Sequence, residues 1–221
     1  VSAGVSRAVR VAIDGPGGAG KTSVARAVAD ALGVECLDTG AMYRAVAAAV
    51  LRRGVDPGEA VAVAAVAREV VGSIEVTAGG VRLDGADVTA EVRGSAVTEA
   101  VSTVAANPAV REVMVARQQA WAAARRGCVM EGRDITTVVL PGAEVRVYLY
   151  ADASVRARRR SGESGASESA VQAALSERDH RDSTRAHAPL RLAKGVREID
   201  TTNRSVDEVV GEILEMIREQ S

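Results

Sequence analysis

Residues 9–22 read Val9-Arg10-Val11-Ala12-Ile13-Asp14-Gly15-Pro16-Gly17-Gly18-Ala19-Gly20-Lys21-Thr22. An apolar run of strand character, 9–13, passes into a loop that satisfies GxxxxGK[ST], and a helical pattern over 22–32 follows it. Each residue type answers a physical need. Glycines take backbone angles closed to other residues and let main-chain N–H groups approach phosphate oxygens closely. Lys21 offers a point charge to β- and γ-phosphates, and the Thr22 hydroxyl offers one ligand to Mg²⁺. The helix that begins near Gly20 adds the positive end of its dipole. The spacing predicts a nucleoside triphosphate site.

Outward from this loop the chain alternates strand and helix. Runs 9–13, 34–37, 128–130, 145–150 and 196–199 read as buried parallel strands, and 22–32, 41–53, 110–124 and 206–218 read as helices. Strands that lack two-residue alternation and are separated by helices predict an α/β fold with helices on both faces of the sheet. With the glycine loop, this is the three-layer P-loop NTPase type around a central five-stranded parallel sheet. Ligands in such folds bind beyond the carboxyl ends of strands. Asp38-Thr39-Gly40 and Gly132-Arg133-Asp134 follow the second and third runs, as the glycine loop follows the first. Two segments depart from the alternation. Residues 74–84 alternate with period two around Gly79-Gly80, the pattern of a hairpin inserted in the α/β body. Residues 161–167, after Arg156-Ala157-Arg158-Arg159-Arg160, read as a short flexible loop, either a lid over phosphates or a solvated surface loop.

Composition sets limits. The 221 residues carry a net charge of -1, with 47% hydrophobic and 26% charged residues. That is an ordinary globular balance, and it argues against broad nucleic-acid or acidic-membrane binding. With only 2% aromatics, Arg158-Arg159-Arg160 has few stacking partners for a single-stranded nucleic acid. Cys36 and Cys128 lie in apolar segments and read as buried thiols of a reducing compartment. The stretch 45–51 reads as part of an amphipathic helix rather than a membrane span. With no signal-type apolar region at the start, a cytoplasmic location is expected, and residues 1–6 read as a poorly ordered lead-in.

The acceptor is read from cations and carboxylates spread over several strand ends. No Asn-Lys-x-Asp segment for guanine is present, and no acidic pair fits a motor ATPase clearly; Asp14 and Glu131 are the nearest acidic groups. Arg44, Arg133 and Asp134 follow strands. In Arg178-Asp179-His180-Arg181-Asp182-Ser183-Thr184-Arg185, helical spacing would put Arg178, Asp182 and Arg185 on one face. Such a run is either a salt-bridged solvent face or a second anion site. A phosphate acceptor also fits the want of a general base, because a monophosphate with a second pKa of about 6 is already largely dianionic. Positioning and charge neutralisation then suffice, a task suited to arginine forks. His180 and His187 read as incidental.

In these motifs the chain resembles the bacterial cytidylate kinases over nearly its whole length. The residues that carry the resemblance are Ile13-Asp14-Gly15-Pro16, Leu37-Asp38-Thr39-Gly40-Ala41-Met42-Tyr43-Arg44, Glu131-Gly132-Arg133-Asp134-Ile135 with Thr137-Val138-Val139, and Arg178 through Arg185 with Ala188-Pro189-Leu190. The resemblance implies one domain: a core of 1–38, 106–152 and 186–221, a β-containing monophosphate-binding insertion of about 39–105, and a short lid of about 153–185. It implies γ-phosphoryl transfer from ATP, with Mg²⁺, to CMP and dCMP. ATP would lie on Gly15, Gly17, Gly18, Ala19, Gly20, Lys21, Thr22 and Ser23, with Thr22 the metal ligand. Arg44, Arg133 and Arg185 would hold the CMP phosphate beside Thr39 and Tyr43, and Arg178 and Asp182 the ribose. Ser102, Arg111 and Asp134 would read cytosine. Lys21, Arg133, Arg185 and the lid residue Arg158 would carry catalysis. The implied state is a monomer acting on small molecules, with no nucleic-acid or membrane partner. Thr136 stands where the family usually has glycine, and the added side chain is expected to perturb the preceding loop. Open alternatives are a P-loop kinase of another small acceptor (UMP, AMP, dTMP or a non-nucleotide) and a non-catalytic nucleotide sensor.

Overall fold

A computed structural model describes residues 9–220; residues 1–8 and 221, and with them the expected lead-in over 1–6, lie outside the described residues. In chain order the elements are β1 (Arg10–Asp14), α1 (Lys21–Leu32), β2 (Glu35–Asp38), α2 (Thr39–Arg52), α3 (Ala60–Val70), β3 (Ile74–Thr77), β4 (Gly80–Leu83), β5 (Ala86–Asp87), α4 (Ser95–Ala106), α5 (Pro108–Ala123), β6 (Cys128–Gly132), β7 (Val145–Tyr150), α6 (Ala153–Ser164), α7 (Glu168–Thr184), β8 (Arg197–Asp200) and α8 (Val206–Glu219). Five strands form a parallel sheet in the order β2-β6-β1-β7-β8. Four of them run on to residues such as Asp14, Asp38, Glu131-Gly132 and Asp200, past the apolar runs that announced them. Backbone pairing is indifferent to side-chain polarity, so strands continue into the polar residues at their carboxyl ends.

The chain divides into two compact units. Of the described residues, the first comprises 9–36, 125–184 and 188–220. Its core joins Val11 and Ile13 of β1, Val24 and Val28 of α1, Val129 of β6, Val147 and Leu149 of β7, Ile199 of β8, and Val209 and Ile213 of α8. Helix α1 ends on Gly33 at φ 65°, whose N–H reaches the Ala29 and Asp30 carbonyls. Helix α8 starts with a capping box in which Ser205 and Glu208 satisfy each other's backbone N–H groups. The arginine run and the expected loop over 161–167 are not arranged as the sequence suggested. Residues 153–164 form α6, and only 165–167 separate it from α7. Ala157, Val171 and Leu175 form a small apolar core between these two helices, enough to keep Ser161 and Gly162 helical. Cys128 is buried, and burial pushes its thiol up to about 11. Cys36 is only half-buried, because β2 is an edge strand.

The second unit comprises residues 37–124 and 185–187. Asp38 caps α2 by accepting from the Ala41 N–H at 2.9 Å. Asn107 caps α5 by accepting from Ala109 and Val110, with Pro108 at the first helical position. The 74–84 hairpin is present, and β5 extends it to three strands. Helix α2 is not amphipathic as 45–51 suggested: Ala45 through Val50 are all buried. Helices α3 and α4 and strands β3 and β4 pack around it, and its alanines let them approach closely. Helix α5 packs on α3 and α4, so this unit runs on to Ala124. Among the described residues, no helix is long and apolar enough to cross a membrane.

Candidate active site

The glycine loop lies in the first unit, between Asp14 at the end of β1 and Lys21 at the start of α1. Gly15 and Gly18 are required by space as well as by angle. A Cβ on Gly15 (φ +149°) would sit 2.0 Å from the Leu149 carbonyl oxygen, and one on Gly18 (φ +78°) 2.9 Å from that of Arg156. Lys21 is buried, and its Nζ donates to the Pro16 carbonyl at 2.8 Å. The Thr22 hydroxyl donates to Glu131 Oε1 at 2.5 Å, and Glu131, near the end of β6, is 4% exposed. Ala19 is buried, with its carbonyl accepting from the Thr201 hydroxyl at 3.1 Å, while Ser23 is exposed. The loop's cation and hydroxyl are thus held by carbonyl and carboxylate oxygens, groups that phosphate oxygens can replace.

Helices α6 and α7 bring further cations to the same unit. Arg156 Nη1 donates to the Gly17 carbonyl at 3.0 Å and to Asp179 Oδ2 at 2.5 Å. Asp179 Oδ1 also accepts from the Gly17 N–H at 3.3 Å, so one carboxylate joins loop and arginine. Arg159 donates to the Thr201 carbonyl and hydroxyl. Arg158 instead stands in solvent, its side chain 72% exposed and 3.9 Å from Glu168. Arg133 Nε donates to Asp182 Oδ2 at 2.9 Å, and Arg178 Nε lies 3.9 Å from the same oxygen. Burial disfavours the Arg133 charge, but the carboxylates of Asp182, Glu131 and Asp179 outweigh it and hold the guanidinium above its ordinary value. Asp134 is buried at the end of the β6 turn.

In the second unit, α2 carries Thr39, Tyr43 and Arg44. Thr39 and Tyr43 are buried one helical turn apart. Arg111, buried on α5, places its guanidinium 5.5 Å from the Tyr43 ring centroid and donates to the Ala105 carbonyl. Arg44 Nη1 donates to the Val92 carbonyl and the Thr98 hydroxyl, both at 3.0 Å. Ser102 is buried on α4. Helix α7 ends at Thr184, so Arg185 lies beyond it, in the second unit, and does not continue the helical face of Arg178 and Asp182.

The structure therefore gathers Arg133, Arg178 and Asp182 in one unit and Tyr43 with Arg111 in the other. It also singles out Glu131, Arg156 and Asp179, which sequence reasoning offered only as members of longer runs. Glu131 carried a usable signal, an acidic residue at the end of an apolar strand in a chain with a glycine loop. Arg156 and Asp179 carried weak ones, since each is one charge in a run and only helix phase selects it.

The cytidylate kinase family profile matches residues 11–219. A cytidylate kinase of Rhodococcus opacus is 48% identical over 218 residues, covering 96% of this chain and 95% of that protein. One from Nocardia farcinica is 46% identical over 217 residues, covering 95% and 94%. The fold is similar to that of a gluconokinase from Sinorhizobium meliloti, with a TM-score of 0.51 at 16% identity over 96% of this chain and 93% of that one. With the family profile spanning nearly every described residue and close to half of all positions identical to curated members, the chain belongs to the cytidylate kinase family.

Proposed function

We propose that the protein transfers the γ-phosphoryl group of ATP to CMP and to dCMP, acting as a monomer in the cytoplasm. The observation that carries this reading is a complete glycine loop, ending in a buried Lys21 and in Thr22, within the same unit as a second cation set around Arg133. One array suits a triphosphate and the other a phosphate acceptor. Residues 39–105 serve as the monophosphate-binding insertion and 153–185 as the lid.

The phosphates of ATP take the loop N–H groups of residues 15–23. Lys21 leaves the Pro16 carbonyl for the β- and γ-phosphates. The oxygens of Thr22 and Glu131, 2.5 Å apart at the start of α1, suit a hard cation that keeps few protein ligands. Mg²⁺ would be held by Thr22 with Glu131 beside it, and when bound it neutralises charge on the β- and γ-phosphates. Arg44, Arg133 and Arg185 hold the acceptor phosphate, and Arg158 closes over the donor. Thr39 and Tyr43 line the acceptor site, and Arg178 and Asp182 take the ribose hydroxyls. No general base is needed, because the dianionic acceptor is already a nucleophile, so positioning and charge stabilisation provide the rate. Ser102, Arg111 and Asp134 read the base: a carboxylate accepts from the cytosine 4-amino group and repels the uracil oxygen.

The test is ADP release from ATP–Mg²⁺ with CMP, dCMP, UMP, AMP and dTMP in parallel, for the wild-type chain and Asp134→Asn. CMP and dCMP should lead, and the variant should lose about 1–3 kcal/mol of CMP-over-UMP preference. Preference for another monophosphate would overturn the base assignment, and ATP binding without turnover would favour the sensor reading.

A further inference from the structure

Asp14 closes β1 with a carboxylate that solvent does not reach, at 0% exposure. Its oxygens are taken by the turn after β6. Oδ1 accepts from the Ile135 N–H at 2.8 Å. Oδ2 accepts from the Thr136 N–H at 2.8 Å and from the Thr136 hydroxyl at 2.6 Å. These backbone donors open the single wide helical turn Ile135–Val139, where first-turn N–H groups have no partner within the turn. Asp134 occupies the capping position of that turn, yet its side chain makes no capping hydrogen bond. The cap comes from Asp14, more than a hundred residues earlier.

The added side chain at 136 is accommodated inside the turn. It is 1% exposed and supplies a third donor to a buried acid. Burial pushes the Asp14 carboxyl up and so disfavours its charge; the Thr136 and Ile135 donors oppose this, while nearby Asp134 adds to it. A hydroxyl bonded to carboxylate at such a distance is of the strong, charge-assisted kind. It also fixes the Thr136 side-chain torsion and the plane of the Asp14 carboxylate together.

We propose that Thr136 is a positioning residue for base selection: its hydroxyl, clamped to Asp14, fixes the turn that carries Arg133 and Asp134 to the strand end from which the glycine loop departs. This rests on the reading of Asp134 as the base reader. Asp134 has to meet one edge of a pyrimidine within a few tenths of an ångström to tell donor from acceptor. A turn held by two N–H donors alone can rock about the Asp14 side chain, and the hydroxyl removes that freedom. A glycine at 136 would have no such donor, so this clamp is a property of the threonine.

The test compares kcat/KM for CMP and UMP, with ATP as donor, in the full chain carrying Thr136→Val, Thr136→Ser or Asp134→Asn. Thr136→Val, which loses the hydrogen bond to Asp14, should cut the CMP-over-UMP ratio about tenfold, and Thr136→Ser, which retains a hydroxyl, should keep it within about twofold. The KM for ATP should be unchanged in both. A purely structural role would lower the thermal midpoint of Thr136→Val and leave the ratio alone, which would overturn the inference. Should the valine variant not fold, Thr136→Ala, which removes the hydroxyl without placing a second methyl beside the carboxylate, reads the same ratio with the same expectations. Loss in Asp134→Asn with no loss at 136 overturns the clamp and keeps the base reading. Loss at 136 with none in Asp134→Asn keeps the clamp and moves base reading to another group on the turn. No loss in either overturns both.

Discussion

The glycine loop and the α6–α7 arm belong to the same unit and both bring cations to it, but they are built from different parts. The loop is backbone: consecutive residues, three glycines at positive φ, and a carbonyl wall that leaves no room for a Cβ at Gly15 or Gly18. The arm is side chains: Arg156 tied to Gly17 and Asp179, with Arg158 two residues on in open solvent. A backbone cradle has one geometry and is rigid before its ligand arrives. Guanidinium–carboxylate pairs are exchangeable, because a phosphate presents the same planar pairing as the carboxylate it displaces. In the proposed function the loop would supply precision, and the arm charge that is released and retaken.

Three substitutions would break or sharpen that contrast. Lys21→Met, in the loop, should lower kcat by about 10²–10³-fold, the usual loss on removing one preorganised charge, with an unchanged far-UV circular dichroism spectrum. Normal turnover would remove the loop from the chemistry. On α7, Asp182→Ala leaves Arg133 without its nearest carboxylate. It should lower stability by about 1–3 kcal/mol, read as a fall in thermal midpoint, and raise the KM for CMP. An unaltered midpoint and KM together would show that the pair is idle. Arg158→Ala should leave the midpoint where it is, as an exposed side chain 3.9 Å from Glu168 adds little. Its kcat should fall by about tenfold, less than for a fixed charge. If kcat holds, closure over the donor belongs to Arg156 instead.

The loop was legible because each of its requirements falls on adjacent residues. Gly15, Gly18, Gly20, Lys21 and Thr22 are specified by local backbone geometry, and local geometry is written locally. The strands were legible for a related reason, since burial on both faces leaves unbroken apolar runs such as 128–130. The arm was legible only in composition. Three arginines of α6, at 156, 158 and 159, differ by helix phase alone, and phase relative to the glycine loop depends on how α6 packs on α7 through Ala157, Val171 and Leu175. Alanine-rich α2 misled in the same way, because what surrounds a helix is decided by its neighbours.

Sequence by itself determined the α/β class, the triphosphate loop, the hairpin and, through its ordered motifs, the family. Tertiary structure alone decided that Arg156 rather than Arg158 meets the loop, that Glu131 stands beside Thr22, and that Thr136 donates to Asp14. The physical reason is range. A backbone conformation is fixed by a few neighbouring residues, whereas a hydrogen bond between Asp14 and Thr136 joins partners that only the pairing of β1 with β6 brings within 2.6 Å.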